Sequence, residues 1–164
     1  MKKQSAAYRT AMLGLLTALA LILGYVERLI PVSAIPGIKM GLGNTVLLYS
    51  LYLIDTKHSW MLMALKVLLS GLLFGTGVSM LYSLAGGTLS LTAMCLVKKT
   101  GKLSVHAVSV TGALMHNVGQ LCIAALLVTP RAAVYYLPML VLTGIVCGVL
   151  TGTVASLVIK YMRH

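Results

Sequence analysis

The chain has 164 residues, 59% of them hydrophobic and only 9% charged, with a mean hydropathy of +0.99. A soluble domain carries about 25% charged residues, so a soluble fold is excluded and residues 1–164 read as one integral membrane domain. Thirteen Lys and Arg stand against two acids, Glu27 and Asp55, a formal charge of +11. Such an excess can mark nucleic-acid binding. Here the basic residues fall between apolar spans, without the aromatic-plus-basic faces of nucleic-acid modules. The charge therefore reads as membrane topology, and the expected location is the cell membrane, multi-pass.

About 20 apolar residues are needed to cross the bilayer core as a helix. The first predicted span runs from about Ala11 to Ile30. It is too long for the apolar region of a signal peptide, so it reads as a retained helix. Next comes Pro31–Asn44, PVSAIPGIKMGLGN, with two prolines, three glycines, a lysine and an asparagine. Backbone that cannot be regular helix throughout must satisfy its N–H and C=O groups with protein, water or a ligand. This stretch is the candidate substrate-facing loop. Further spans are predicted over about Ile38–Ile54, Ser59–Phe74, Val78–Val97, Ser104–Val128 and Ala133–Tyr161. The fold class is an all-α membrane protein, a compact bundle of about six transmembrane helices joined by short loops. The second and third spans are short, and five helices or a re-entrant segment is the alternative.

Cations collect on cytoplasmic loops. With both termini inside, the cytoplasmic set is Lys2, Lys3, Arg9, Lys57, Lys98, Lys99, Lys102, Lys160 and Arg163, against Arg28, Lys39 and Arg131 outside. Nine against three places both termini in the cytoplasm and turns the Pro31–Asn44 stretch outward.

Lys66 lies within the third span, about seven residues in, or roughly 10 Å at ~1.5 Å per residue. Ionisable groups at such depth are candidates for function; snorkelling, or pairing with a carbonyl or Glu27, is the structural alternative. In the fifth span Gly112, His116 and Gln120 recur at four-residue spacing with Asn117 beside them, which makes a polar stripe on one helix face. Such a stripe serves either helix–helix hydrogen bonding or a ligand site. Small residues recur in the first span (Ala7/Ala11, Gly14/Ala18, Ala20/Gly24) and in the last (Gly144, Gly148, Gly152). They suit close packing inside the bundle or docking of a partner. Cys95, Cys122 and Cys147 fall in apolar spans without metal-ligand spacing and read as small buried hydrophobes. No P-loop motif is present, and two carboxylates far apart in sequence cannot assemble a Mg²⁺-diphosphate site. No cofactor, metal or catalytic residue is expected, and the chain does not read as an enzyme.

The motifs IPGIKMGLGN, LKVLLSGLLFGTG, YSLAGG and LMHNVGQL resemble the small membrane family called Gx transporters, also labelled heptaprenyl diphosphate synthase component I. The resemblance runs from about Arg9 to Met162. That family in turn looks like the substrate-binding S components of energy-coupling-factor (ECF) transporters, in which six helices capture a small molecule from outside and a separate ATPase module supplies energy. The resemblance implies a site from Pro36, Gly37, Lys39, Gly41 and Asn44 with Lys66, His116, Asn117 and Gln120. It also implies a membrane coupling subunit docked on the first-span small residues, although Leu15 and Ile22 interrupt those rows.

Three functions follow as expectations. The first is a binding and transport subunit for a small anionic or amphipathic molecule, the cationic tilt of Lys39, Lys66 and Arg28 motivating the charge. The second is a non-catalytic membrane component of heptaprenyl diphosphate or quinone synthesis. The third is an anchor in a redox assembly.

Overall fold

The computed structural model describes residues 6–29, 41–127 and 130–162. They form six helices, α1 Ala6–Leu29, α2 Leu42–Leu53, α3 Thr56–Phe74, α4 Gly77–Lys99, α5 Val105–Leu127 and α6 Pro130–Met162. There is no strand among the described residues. Four helices are long and apolar enough to cross a membrane: α1, α4, α5, and α6 over Leu137–Tyr161. α2 has 12 residues, about 18 Å of helix against a hydrocarbon core of ~30 Å. α3 has 19 residues, but Lys66 interrupts its apolar run. The expected helix number is therefore seen, with span length and composition in four of the six.

Contacts between helices fix which ends lie together. Arg9 of α1 stands 3.7 Å from Asp55 at the α2–α3 turn. Lys98, near the end of α4, donates to the Leu51 carbonyl near the end of α2, and its Nζ lies 4.9 Å above the Tyr52 ring. Late in α6, Gly152 packs on His106 and Ser109 at the start of α5. The start of α1, the α2–α3 turn, the α4–α5 turn and the end of α6 thus share one end of the bundle. We call it the termini end; it carries Arg9, Lys57, Lys98, Lys99, Lys102 and Lys160.

α5 is the central post, packed along its length against α4 and α6. Glycines set those approaches. A β-carbon at Gly148 of α6 would stand 2.6 Å from the Val110 Cα of α5, so the Gly144–Gly148–Gly152 ridge is consumed inside the bundle. The first-span small residues divide. Ala20 is buried with its carbonyl close over Gly43 of α2, whereas Ala7, Ala11, Gly14 and Ala18 are exposed. Gly71 belongs to α3, as the predicted third span has it, and presses on Met80. The turn itself is Gly75–Thr76, where Thr76 and Ser79 cap α4 reciprocally. Cys122, expected to be buried, is exposed on α5.

Asp55 starts α3 by accepting from the His58 N–H at 2.7 Å, and its carboxylate also meets the His58 ring at 2.8 Å. Partial burial pushes its carboxyl up, but the His58 backbone and ring hydrogen bonds and the charges of His58 and Arg9 outweigh that and hold it below the ordinary carboxylate value. A carboxyl depressed on folding contributes stability above its unfolded pKa, ~3.9, and loses it as pH falls through the folded value. Asp55→Ala is therefore expected to cost about 1 kcal/mol at pH 7, read as a lower unfolding temperature in detergent. The difference from wild type should persist at pH 5 and shrink below pH ~4.

Candidate functional site

α2 is too short to hold itself by its own ladder, and its two ends are held by side chains from other helices. Gly41 precedes it with φ 78°, the left-handed conformation that glycine adopts without a Cβ penalty. Glu27, in the last turns of α1, receives the Gly41 N–H at 2.7 Å and the Leu42 N–H at 3.1 Å. Two of the orphan donors of a helix start are thereby satisfied by a carboxylate. Lys98 meets the opposite end. Negative charge at the N-terminus and positive charge at the C-terminus both suit the helix dipole.

This anchoring sets Asn44, whose own N–H bonds the Gly41 carbonyl at 2.7 Å. Across from it, Lys66 donates from Nζ to Asn44 Oδ1 at 2.9 Å. The lysine reaches Asn44 by crossing Gly43, where a β-carbon would stand 2.9 Å from both Cε and Nζ. α3 begins at Thr56, three residues earlier than the sequence suggested, so Lys66 is ten residues in, about 15 Å. Its amine points into the bundle at the level of Asn44. Glu27, the partner entertained for Lys66, has both carboxylate oxygens engaged by the start of α2.

Beside Asn44 is a small cavity of about 20 Å³ lined by Gly41, Asn44, Ser90, Met94, Gly112, His116, Asn117, Thr143, Gly144, Cys147 and Thr151, among others. It has room for roughly one water. Four helices meet there, with the start of α2 facing α4, α5 and α6. His116, Asn117 and Gln120 are all buried. The His116 ring lies against Gly86 of α4, where a β-carbon would be 2.8 Å from Nδ1. Its Nε2 is 3.2 Å from Gln120 Nε2, while Gln120 Oε1 has no hydrogen-bond partner among the described residues. Asn117 donates from Nδ2 to the Leu140 carbonyl of α6 at 2.7 Å, so it ties α5 to α6 as well as lining the space. Ser90 is fully buried, and its hydroxyl also lacks a partner among the described residues. Buried polar atoms of this kind call for water or a ligand.

Of the nine residues singled out from sequence, Pro36, Gly37 and Lys39 lie outside the described residues, as does the Arg28 side chain. The other six fall in one connected set. Gly41, Asn44, His116 and Asn117 line the cavity, Lys66 attaches through Asn44, and Gln120 through His116. Sequence reasoning missed the hydroxyls Ser90, Ser109, Thr143 and Thr151. A signal existed: Ser109 shares a helix face with Gly112 and His116, and Thr151 follows Gly144 and Cys147 at helical spacing. Ser109 and Thr151 meet at 2.8 Å. Among the described residues no three His, Cys, Asp or Glu side chains converge as a metal site would require.

The fold and this interior define the class: a membrane protein, all-helical among the described residues, with a small cavity beside the start of a short, charge-capped helix. The chain belongs to the family described as heptaprenyl diphosphate synthase component I, whose model matches residues 16–158, consistent with the resemblance read from its motifs. Neither the curated proteins nor the solved structures give a match.

Proposed function

We propose that the chain is a membrane-embedded binding subunit that takes up a small anionic molecule, with energy supplied by a partner. The termini end is cytoplasmic in this reading, because it holds the cation excess, and the Gly41 end of α2 faces outward. The observation that carries it is the linked set Lys66–Asn44–His116–Gln120 around one buried cavity. The Lys66 amine reaches Asn44 at the cavity's edge and several neutral polar side chains line it, and within a membrane buried polar groups are expensive unless used. The enclosed space is a water's size, whereas ligand pockets run to ~300 Å³ and above. Binding of anything larger than a water therefore requires the helices around the cavity to move apart. Uptake by cells or proteoliposomes is expected to fall at least tenfold in Lys66→Ala and to recover in part in Lys66→Arg. Unchanged uptake in Lys66→Ala would sink the reading.

The family description favours a second reading, a non-catalytic membrane component of heptaprenyl diphosphate synthesis. That reading expects the chain to co-purify with a soluble prenyl synthase carrying the acid-rich metal motifs this chain lacks, and prenyl transfer to fall when the chain is withdrawn.

A further inference from the structure

On the lipid-facing side, far from the polar pocket in character, lies an apolar slot of about 350 Å³. α1 and α6 form its walls and do not pack against each other among the described residues, and α2, which packs against both, forms its floor. Leu16, Val46 and Ala155 are its buried lining, while Leu15, Leu19 and Val154 are exposed rims. The slot extends along α1 from Met12 to Leu23. Eleven residues at ~1.5 Å make about 16 Å, half of a ~30 Å hydrocarbon core and so one leaflet deep. A transmembrane helix segment of that length, ~10 Å across, has a volume on the order of 1,200 Å³. The slot cannot enclose a helix, and its length and volume suit an extended hydrocarbon chain.

What lies at its termini end selects the headgroup. Arg9 is one turn of α1 before Met12. Its contact with Asp55 is long, 3.7 Å, and the Asp55 oxygens already serve His58. Arg9 Nε is buried with no hydrogen-bond partner among the described residues. Asp55 is the only acid at an end that also carries Lys57, Lys99, Lys102 and Lys160. Tyr8 and Tyr161, both exposed, stand at the same level, where amphipathic rings favour the membrane interface. We propose that the slot holds one acyl chain of an anionic phospholipid from the leaflet at the termini end, with the lipid phosphate against Arg9. A guanidinium suits phosphate through planar paired donors. The chain would replace the helix–helix contact that α1 and α6 do not make.

The test is native mass spectrometry of the full chain in mild detergent, titrated with phosphatidylglycerol or phosphatidylcholine of identical chains. Wild type is expected to retain one phosphatidylglycerol, favoured over phosphatidylcholine by about fivefold, the effect of a single basic residue near the surface. Arg9→Gln should erase that preference while leaving chain binding intact. Val154→Trp and Leu19→Trp, which fill the slot from its exposed rims, should each lose retention of both lipids, with helicity checked by circular dichroism. Several outcomes would overturn the proposal: no retained lipid, equal affinity for both headgroups in wild type, or retention unaffected in a well-folded rim variant. So would displacement of the bound lipid by a prenyl diphosphate, or a dimer that disappears on Val154→Trp. None of these readouts depends on Lys66 or Asn44, so the slot stands or falls apart from the polar pocket.

Discussion

Gly119→Val is expected to be among the most damaging substitutions in the bundle, lowering stability by more than about 3 kcal/mol. A β-carbon at Gly119 of α5 would stand 2.6 Å from the Ala85 carbonyl oxygen and 2.8 Å from Gly86 Cα of α4. Both are backbone atoms, so no side chain can turn aside, and the two helices must separate. Overpacking a close-packed interior costs about 1–3 kcal/mol when side chains can adjust, and here they cannot. The displacement would reach the pocket directly, because Gly86 is also the surface on which the His116 ring rests. Gly14→Ala is the matched control. Nothing lies within 4 Å of the position a β-carbon would take there, and alanine is the better helix former by ~1 kcal/mol. Thermal unfolding in detergent should show a large fall for the first variant and no fall for the second.

The second large effect is expected from Glu27→Ala. Its carboxylate accepts two backbone N–H groups at the start of α2. Hydrogen bonds to charged groups are each worth about 1.5–3 kcal/mol, and the orphaned donors would lie next to the pocket. A loss of about 3 kcal/mol is expected, together with loss of ligand binding, since Asn44 is positioned by the same helix start. Asp55→Ala acts at the opposite end of α2, and it should cost less and leave binding intact. Equal effects of the two variants on binding would show that the Glu27 cap does not position the site.

The contrast between Glu27 and Asp55 also shows what a sequence can carry. Asp55 and the break after Ile54 are local signals, as are the apolar runs that gave six helices and the Gly144–Gly148–Gly152 row. The α5 stripe of Gly112, His116 and Gln120 was legible because helical spacing alone puts those residues on one face. Glu27 was not, since its partners lie 14 and 15 positions later and nothing periodic links them. Lys98 read as a loop cation, yet it reaches back 47 positions to the end of α2. Lys66 was recognised as lying inside a span and costly, but its bond to Asn44 depends on Gly43 letting the side chain across. Which hydroxyls face the cavity was likewise set by how α4, α5 and α6 rotate against one another. That rotation depends on glycine contacts such as Gly148 on Val110, visible only with both helices in place.

Native mass spectrometry of the protein purified from cells tests the polar pocket most directly. Wild type should carry a small anionic adduct, released on unfolding. The adduct should be lost in both Lys66→Ala and Asn44→Ala, with helicity unchanged. A wild-type protein without any such adduct, or one retained in equal amount by both variants, would contradict a ligand site built on Lys66 and Asn44.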